Sequence, residues 1–123
     1  MPNYVHTHQL GILAHGWATD WPDAYGWGWA LFDGASIVSA GNANIGEENN
    51  PVVNNLFKQL EEATTNSAKI SISQQIDLQV MKDAVLLPAV YSKALLYRGP
   101  NLTNVFVQPY YGMYDYGAIG MKS

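Results

Sequence analysis

Apolar positions along the chain fall into blocks with different periods. From Gln9 to Trp17 the sequence reads QLGILAHGW, a short apolar run carrying Gly near both ends, which predicts a central strand buried on both faces. It stops at Ala18-Thr19-Asp20-Trp21-Pro22-Asp23. Pro22 has no backbone donor and drives Trp21 out of helical backbone, so the chain turns there. Ala24 to Phe32 (AYGWGWALF) mixes aromatics with Gly and suits either a short helix or a loop packed on the strand. Asp33-Gly34 marks a turn, Ile37-Val38 a short strand, and Gly41 to Asn50 (GNANIGEENN), dense in Gly and Asn without apolar periodicity, a surface loop.

Beyond the loop the period changes to that of helices. Asn50 followed by Pro51 has the form of an N-cap with Pro in the first turn, and Val52, Val53, Leu56, Phe57 and Leu60 then recur at helical spacing, predicting a helix over 51–64. A second stripe of Ile72, Ile76 and Val80, with Ile70, Leu78 and Met81 at its margins, predicts another over 68–83. The alternation Lys69-Ile70-Ser71-Ile72-Ser73 suits a strand locally, and the Gln-rich continuation favours the helix. Three apolar runs, Val85–Tyr91, Ala94–Arg98 and Val105–Gln108, read as strands. A Tyr- and Gly-rich tail, 109–120, follows. The order implies an α+β (mixed α/β) fold in which two helices pack on a small sheet, and 123 residues predict one domain, 1–123.

Charge narrows the function classes. Only 13% of residues are charged, about half the usual share, so Asn, Gln, Ser and Thr must cover the surface. The net charge is −4 and the six Lys and Arg residues are scattered, which excludes an electrostatic footprint for nucleic acid. Cys is absent, removing disulfides, thiolate catalysis and Cys-ligated zinc together. No apolar run approaches the ~20 residues of a membrane-spanning helix. Met1 to His6 carries neither the basic start nor the apolar stretch of a secretory signal.

Candidate chemistry is sparse. Asp20, Asp23 and Asp33 invite a carboxylate-pair reading, with the four Trp residues as sugar-stacking platforms. Against it, Asp23 and Asp33 stand where turns need an Asp, and buried Trp is ordinary core. His6, His8 and His15 lack a further ligand that would complete a metal site, and no phosphate loop or nucleophile motif is present, so neither metal nor cofactor is expected. Asp20 is different. It follows an apolar run, stands between two Trp residues at a turn, and a carboxylate beside indole rings is partly desolvated and needs a partner. That partner is either an internal donor, making Asp20 a turn cap, or a cationic ligand group such as an ammonium. The preceding strand end would expose backbone to which an extended peptide can pair.

Gly16-Trp17-Ala18-Thr19-Asp20, followed by Pro22-Asp23 and Leu31-Phe32-Asp33, resembles the G-W-x-x-D segment of the family 5 extracellular solute-binding proteins, which include oligopeptide and dipeptide receptors. Asn50-Pro51 opening a helix, the helix end Ile76 to Ala84, Val85 to Tyr91, Leu102 to Val107 and Gly112 to Tyr116 are similar to the family's closing helices and strands. The resemblance runs over nearly the whole chain but corresponds only to the C-terminal portion of a much longer two-lobed receptor. It implies a non-enzymatic substrate-binding component of an ABC transporter for peptides, extracellular or periplasmic, membrane-anchored as a lipoprotein in the full-length parent, handing its ligand to a permease. By the same resemblance, Asp20 pairs with the amino terminus of the ligand, and backbone at Gly16, Trp17 and Ala18 pairs with the peptide like an added strand. Some members bind sugars, opines or nickel complexes, and Trp27-Gly28-Trp29 departs from the family's pattern, leaving the ligand class open. The rival expectation is a carbohydrate-active or sugar-binding domain using Asp20, Asp23, Asp33 and the Trp cluster. A third is a remnant whose pocket lacks its other wall. A piece of a larger fold also leaves strand edges and apolar faces uncovered, which predicts self-association.

Overall fold

The computed structural model describes residues 12–18, 22–110 and 112–122. The chain divides into two compact units, residues 1–88 and 89–123. Where the length suggests one domain, the buried apolar core of the described residues lies wholly in the first unit.

That unit is built on three helices. α1 (Ala24–Phe32) forms despite its two glycines because Asp23 caps it, the carboxylate accepting from the backbone N–H of Tyr25 at 2.9 Å and of Gly26 at 3.4 Å. A 3₁₀ turn, Gly34–Ser36, follows with Asp33 as its cap. α2 (Pro51–Glu62) starts as its sequence predicts, with Asn50 accepting from Val52 N–H and Pro at the first helical position, and ends two residues before Thr64. α3 (Asn66–Asp83) begins two residues earlier than its apolar stripe suggests, because the Thr65 hydroxyl accepts from Ala68 N–H. The strand-like alternation at 69–73 is helical, and α3 stops at Ala84, which adopts the left-handed conformation at φ 55°.

The helices meet through one apolar cluster. Val53, Leu56, Phe57 and Leu60 of α2 are buried, and Phe32 of α1 with Ile76 and Val80 of α3 close around them. At one contact the backbone itself is the packing surface: a Cβ on Gly28 would stand 3.2 Å from the Phe57 ring, so a glycine there lets α1 lie close on α2. Tyr25 meets the same ring edge-on, with centroids 6.2 Å apart.

The 41–50 segment is irregular, as its composition predicts, but it is anchored inward at two positions. Asn44 is completely buried and Glu48 nearly so. The Asn44 amide nitrogen donates to Asp33 O at 3.2 Å and Glu48 O at 2.8 Å, while its oxygen accepts from Glu48 N–H at 2.9 Å. One side chain thus satisfies three backbone groups, and the segment folds inward around it. Gly34 is held by the same region, since a Cβ there would fall inside the Asn49 side-chain amide. Asn50 completes the clasp by donating to Asp83 at 2.7 Å, tying the start of α2 to the end of α3.

The strand expectations fare differently. Residues 12–17 of the proposed central strand and Ile37-Val38 carry no ladder among the described residues, and Gln9 to Gly11 lie outside them. Val85–Tyr91 and Ala94–Arg98 are strand-like in composition but form no strand, because among the described residues no edge lies alongside to take their hydrogen bonds. In the second unit β1 (Leu102–Thr103) pairs antiparallel with β4 (Gly120–Met121), and β2 (Val107–Gln108) with β3 (Met113–Tyr114). The run expected over 105–108 contracts to its last two residues. The class is α+β, as the order of elements implies.

Asn44→Ala leaves the buried Glu48 N–H and C=O without the partner that they have here, while Asp33 O keeps the Ser36 N–H and hydroxyl, and is expected to cost about 1–3 kcal/mol. Phe57→Ala, which empties the centre of the cluster, should cost about 3–5 kcal/mol. Urea unfolding followed by tryptophan fluorescence measures both, and a loss under about 1 kcal/mol for Asn44→Ala would show that the segment does not depend on it.

Candidate functional site

The site residues drawn from the sequence lie around the entry to α1. Residues 12–18 belong to no helix or strand and are all exposed, Ile12 at 95%. Among the described residues nothing forms a ladder with them, and a Cβ on Gly16 would meet no atom within 4 Å. The backbone at Gly16, Trp17 and Ala18 is therefore open along this stretch. Asp20, with Thr19 and Trp21, lies outside the described residues, as do His6 and His8.

Trp17 fixes the open segment to the helical unit. Its indole N–H donates to the backbone carbonyl of Trp27 at 3.0 Å, reaching from the open segment to the middle of α1. The ring remains 40% exposed and faces His15, with centroids 6.1 Å apart. Trp27 and Trp29 are also partly exposed, because Gly28 between them takes the buried face of α1. Tyr25 stacks on Trp29 at 6.3 Å and Trp27 leans on Phe32 at 6.1 Å, so these rings are held by core residues.

The other two carboxylates are engaged in the backbone. Asp23 caps α1, and Asp33 accepts from Ala35 N–H at 2.9 Å as the cap of the 3₁₀ turn. Both do what turn residues do, which takes them from the carbohydrate reading. Burial pushes the Asp23 carboxyl upward, but the N–H groups of Tyr25 and Gly26 and the Lys69 ammonium outweigh it and hold its pKa below the usual value of 3.8. Burial raises the Tyr25 phenol, reinforced by the charges of Glu61 and Asp33. Among the described residues no group of three or more His, Asp or Glu side chains is placed to hold a metal.

Lys69 is the residue that the sequence reading passed over. It lies 3.4 Å from Asp23 and joins the start of α3 to the start of α1. The signal was present, since Lys69 shares a helical stripe with Ile76 and Val80, and a cation on a core-facing stripe needs a partner. Beside the pair is an open groove of about 490 Å³, lined by Pro22, Asp23, Leu60, Lys69, Ile70 and Asp77 among others. Pro22 directly follows the stretch that contains Asp20.

No family model matches the chain, nor does any curated protein. Among solved structures, that of clavulanic acid biosynthesis oligopeptide binding protein 2 is similar over 99% of this chain, at 38% identity and a TM-score of 0.90. That neighbour is an oligopeptide-binding protein. The chain spans only 22% of the neighbour's length, so the likeness concerns one part of a longer protein. At this identity the shared fold includes the α1–α3 unit that carries Trp17, Asp23 and Lys69.

Asp23→Ala removes the α1 cap and is expected to cost about 1 kcal/mol near neutral pH. The Lys69 pair is exposed enough for water to screen it, so most of that loss belongs to the cap. Because the folded pKa is depressed, the stabilising contribution is complete above the unfolded value near 3.8 and fades as pH falls through the lower folded value. The stability gap between wild type and Asp23→Ala should accordingly be constant above pH ~5 and close below pH ~4. A gap unchanged at pH 3 would refute this assignment.

Proposed function

We propose that the chain forms part of a peptide-binding receptor, the substrate-binding component of an ABC transporter, acting outside the cytoplasm and passing its ligand to a permease. The observation that carries this reading is the likeness, across 99% of the chain, to a protein described as oligopeptide-binding. The exposed backbone at Gly16–Ala18, outside any helix or strand, supports it, because a peptide is recognised most directly by main-chain groups that have no partner of their own. Trp17, anchored on the Trp27 carbonyl, keeps that segment against the helical unit while leaving part of its ring for the ligand. In this reading Asp20 supplies the carboxylate that pairs with the free amino terminus of the peptide, and the role is binding without turnover.

Asp23 and Asp33 support the choice between receptor and carbohydrate enzyme. Each already accepts backbone hydrogen bonds that hold a helix start, and a catalytic acid or base committed to a cap is poorly placed to exchange protons with a substrate.

The test is calorimetric titration of the protein with di- to pentapeptides bearing free or acetylated amino termini, wild type beside Asp20→Asn. Saturable heat with the free-amine pool, weakened at least about tenfold both by acetylation and by Asp20→Asn, is the expected result. Binding indifferent to both changes would remove Asp20 from the site. No saturable binding of any peptide would overturn the receptor reading.

A further inference from the structure

Segment 12–18 carries the backbone proposed to meet a peptide, yet it has no helix or ladder among the described residues to hold it in place. Gly16 gives the main chain beside Trp17 wide conformational freedom, and a Cβ there would meet nothing within 4 Å, so packing does not restrain it either. Main-chain groups recognise an extended peptide only when they are aligned, and aligning a loose segment at the moment of binding weakens affinity. Among the described residues one hydrogen bond joins this segment to the helices, from the Trp17 indole N–H to Trp27 O at 3.0 Å. The acceptor lies inside α1, where a carbonyl that takes the N–H four residues on still has a second lone pair. Its position is set from beneath. Trp27 C=O and Gly28 N belong to one planar peptide unit, and a Cβ on Gly28 would stand 3.2 Å from the Phe57 ring, which is only 1% exposed and closely packed. Whatever moves Gly28 on that ring moves the acceptor of the tether.

We infer that the Trp17 indole N–H is a positioning group for peptide recognition: it holds the backbone at Gly16–Ala18 in place for the ligand, and Gly28 seated on Phe57 fixes where that place is. The inference rests on the peptide-receptor reading above and adds to it a route from the core to the binding segment. Trp17 acts here through its donor as well as its ring, so Phe, which keeps an aromatic ring and has no N–H, is not an equivalent residue. Gly28, which no peptide would touch, alters affinity through the same route, and does so only while the tether exists.

Calorimetric titration with the free-amine di- to pentapeptides tests this on wild type, Trp17→Phe, Gly28→Val and the double variant, with helical circular dichroism to confirm that each is folded. Trp17→Phe and Gly28→Val should each weaken binding about three- to tenfold, the range of one net hydrogen bond, and the double variant should bind no more weakly than Trp17→Phe alone. If Gly28→Val does not fold, Gly28→Ala takes its place, since its one methyl group makes the 3.2 Å contact with Phe57 and should give a smaller loss with the same non-additivity. Without any peptide, indole N–H exchange followed by NMR should be slow for Trp17, whose signal is the one missing from Trp17→Phe, and faster in the Gly28 variant. Losses that add in the double variant, or a Trp17 indole that exchanges as fast as a fully exposed one, would overturn the inference. A wild type that binds no peptide fells the receptor reading and this inference with it, whereas peptide binding indifferent to Trp17→Phe fells this inference alone.

Discussion

The burial of one stripe on α2 sets the rest of the first unit. Val53, Leu56, Phe57 and Leu60 turn inward together, and everything that packs on them is positioned by the shape that they present. Phe57 has the widest reach, touching the backbone of α1 at Gly28 and the ring of Tyr25. Because Gly28 offers no side chain, α1 settles with its backbone on the ring, and the carbonyl of its neighbour Trp27 accepts the Trp17 indole N–H. A core contact thereby determines where segment 12–18 is tied down. Enlarging Gly28 would push α1 outward and carry that tether with it, so the binding segment inherits its placement from a residue that no ligand would touch.

The polar interior serves the same end by different means. Asn44 replaces what a strand or helix would have done for the 41–50 segment, holding three backbone groups with one amide. Such a residue contributes little net attraction relative to water, but its removal strands the Glu48 N–H and C=O, so its influence lies in the penalty for alternatives. Together with the Asn50–Asp83 hydrogen bond, it locks the approach to α2 against the end of α3. The helical unit is held by apolar packing at its centre and by asparagine amides at its margin.

What the chain disclosed in advance follows from how local each determinant is. α2 was legible because cap, proline and apolar stripe all lie within twelve residues and agree. α3 was legible by its stripe, though its start was set by a Thr hydroxyl that periodicity does not report. α1 was not, since its two glycines and four aromatics have no helical pattern, and only the distant Phe57 explains the buried glycine. Asn44 looked like loop composition because burial of a polar side chain depends on partners that composition does not report, here the Glu48 backbone four residues on and Asp33 O eleven residues back. The strands proposed over 85–98 had the right residues, but a strand is a relation between two segments, and one sequence window carries half of it. Of the candidate site, Trp17 could be named from its motif, whereas its tether to Trp27 and the Lys69–Asp23 link required the packed helices.

Two stretches of open backbone remain, and their differences matter more than their likeness. Segment 12–18 carries Gly16, the tethered Trp17 indole and the exposed Ile12 and Leu13, so a partner added there gains main-chain hydrogen bonds together with some apolar burial. Hydrogen bonds exchanged with water contribute about 0.5–1.5 kcal/mol each, a scale suited to a ligand that must leave again. Segment 89–98 offers the same main-chain groups together with Val90, Tyr91, Leu95 and Tyr97, which stand almost fully in water. At about 25 cal/mol per Å² of apolar area, covering those side chains would contribute on the scale of a main-chain ladder. The two stretches thus differ in what covering them would gain: on the proposed reading the first receives a passing peptide, whereas the second offers the larger exposed apolar area.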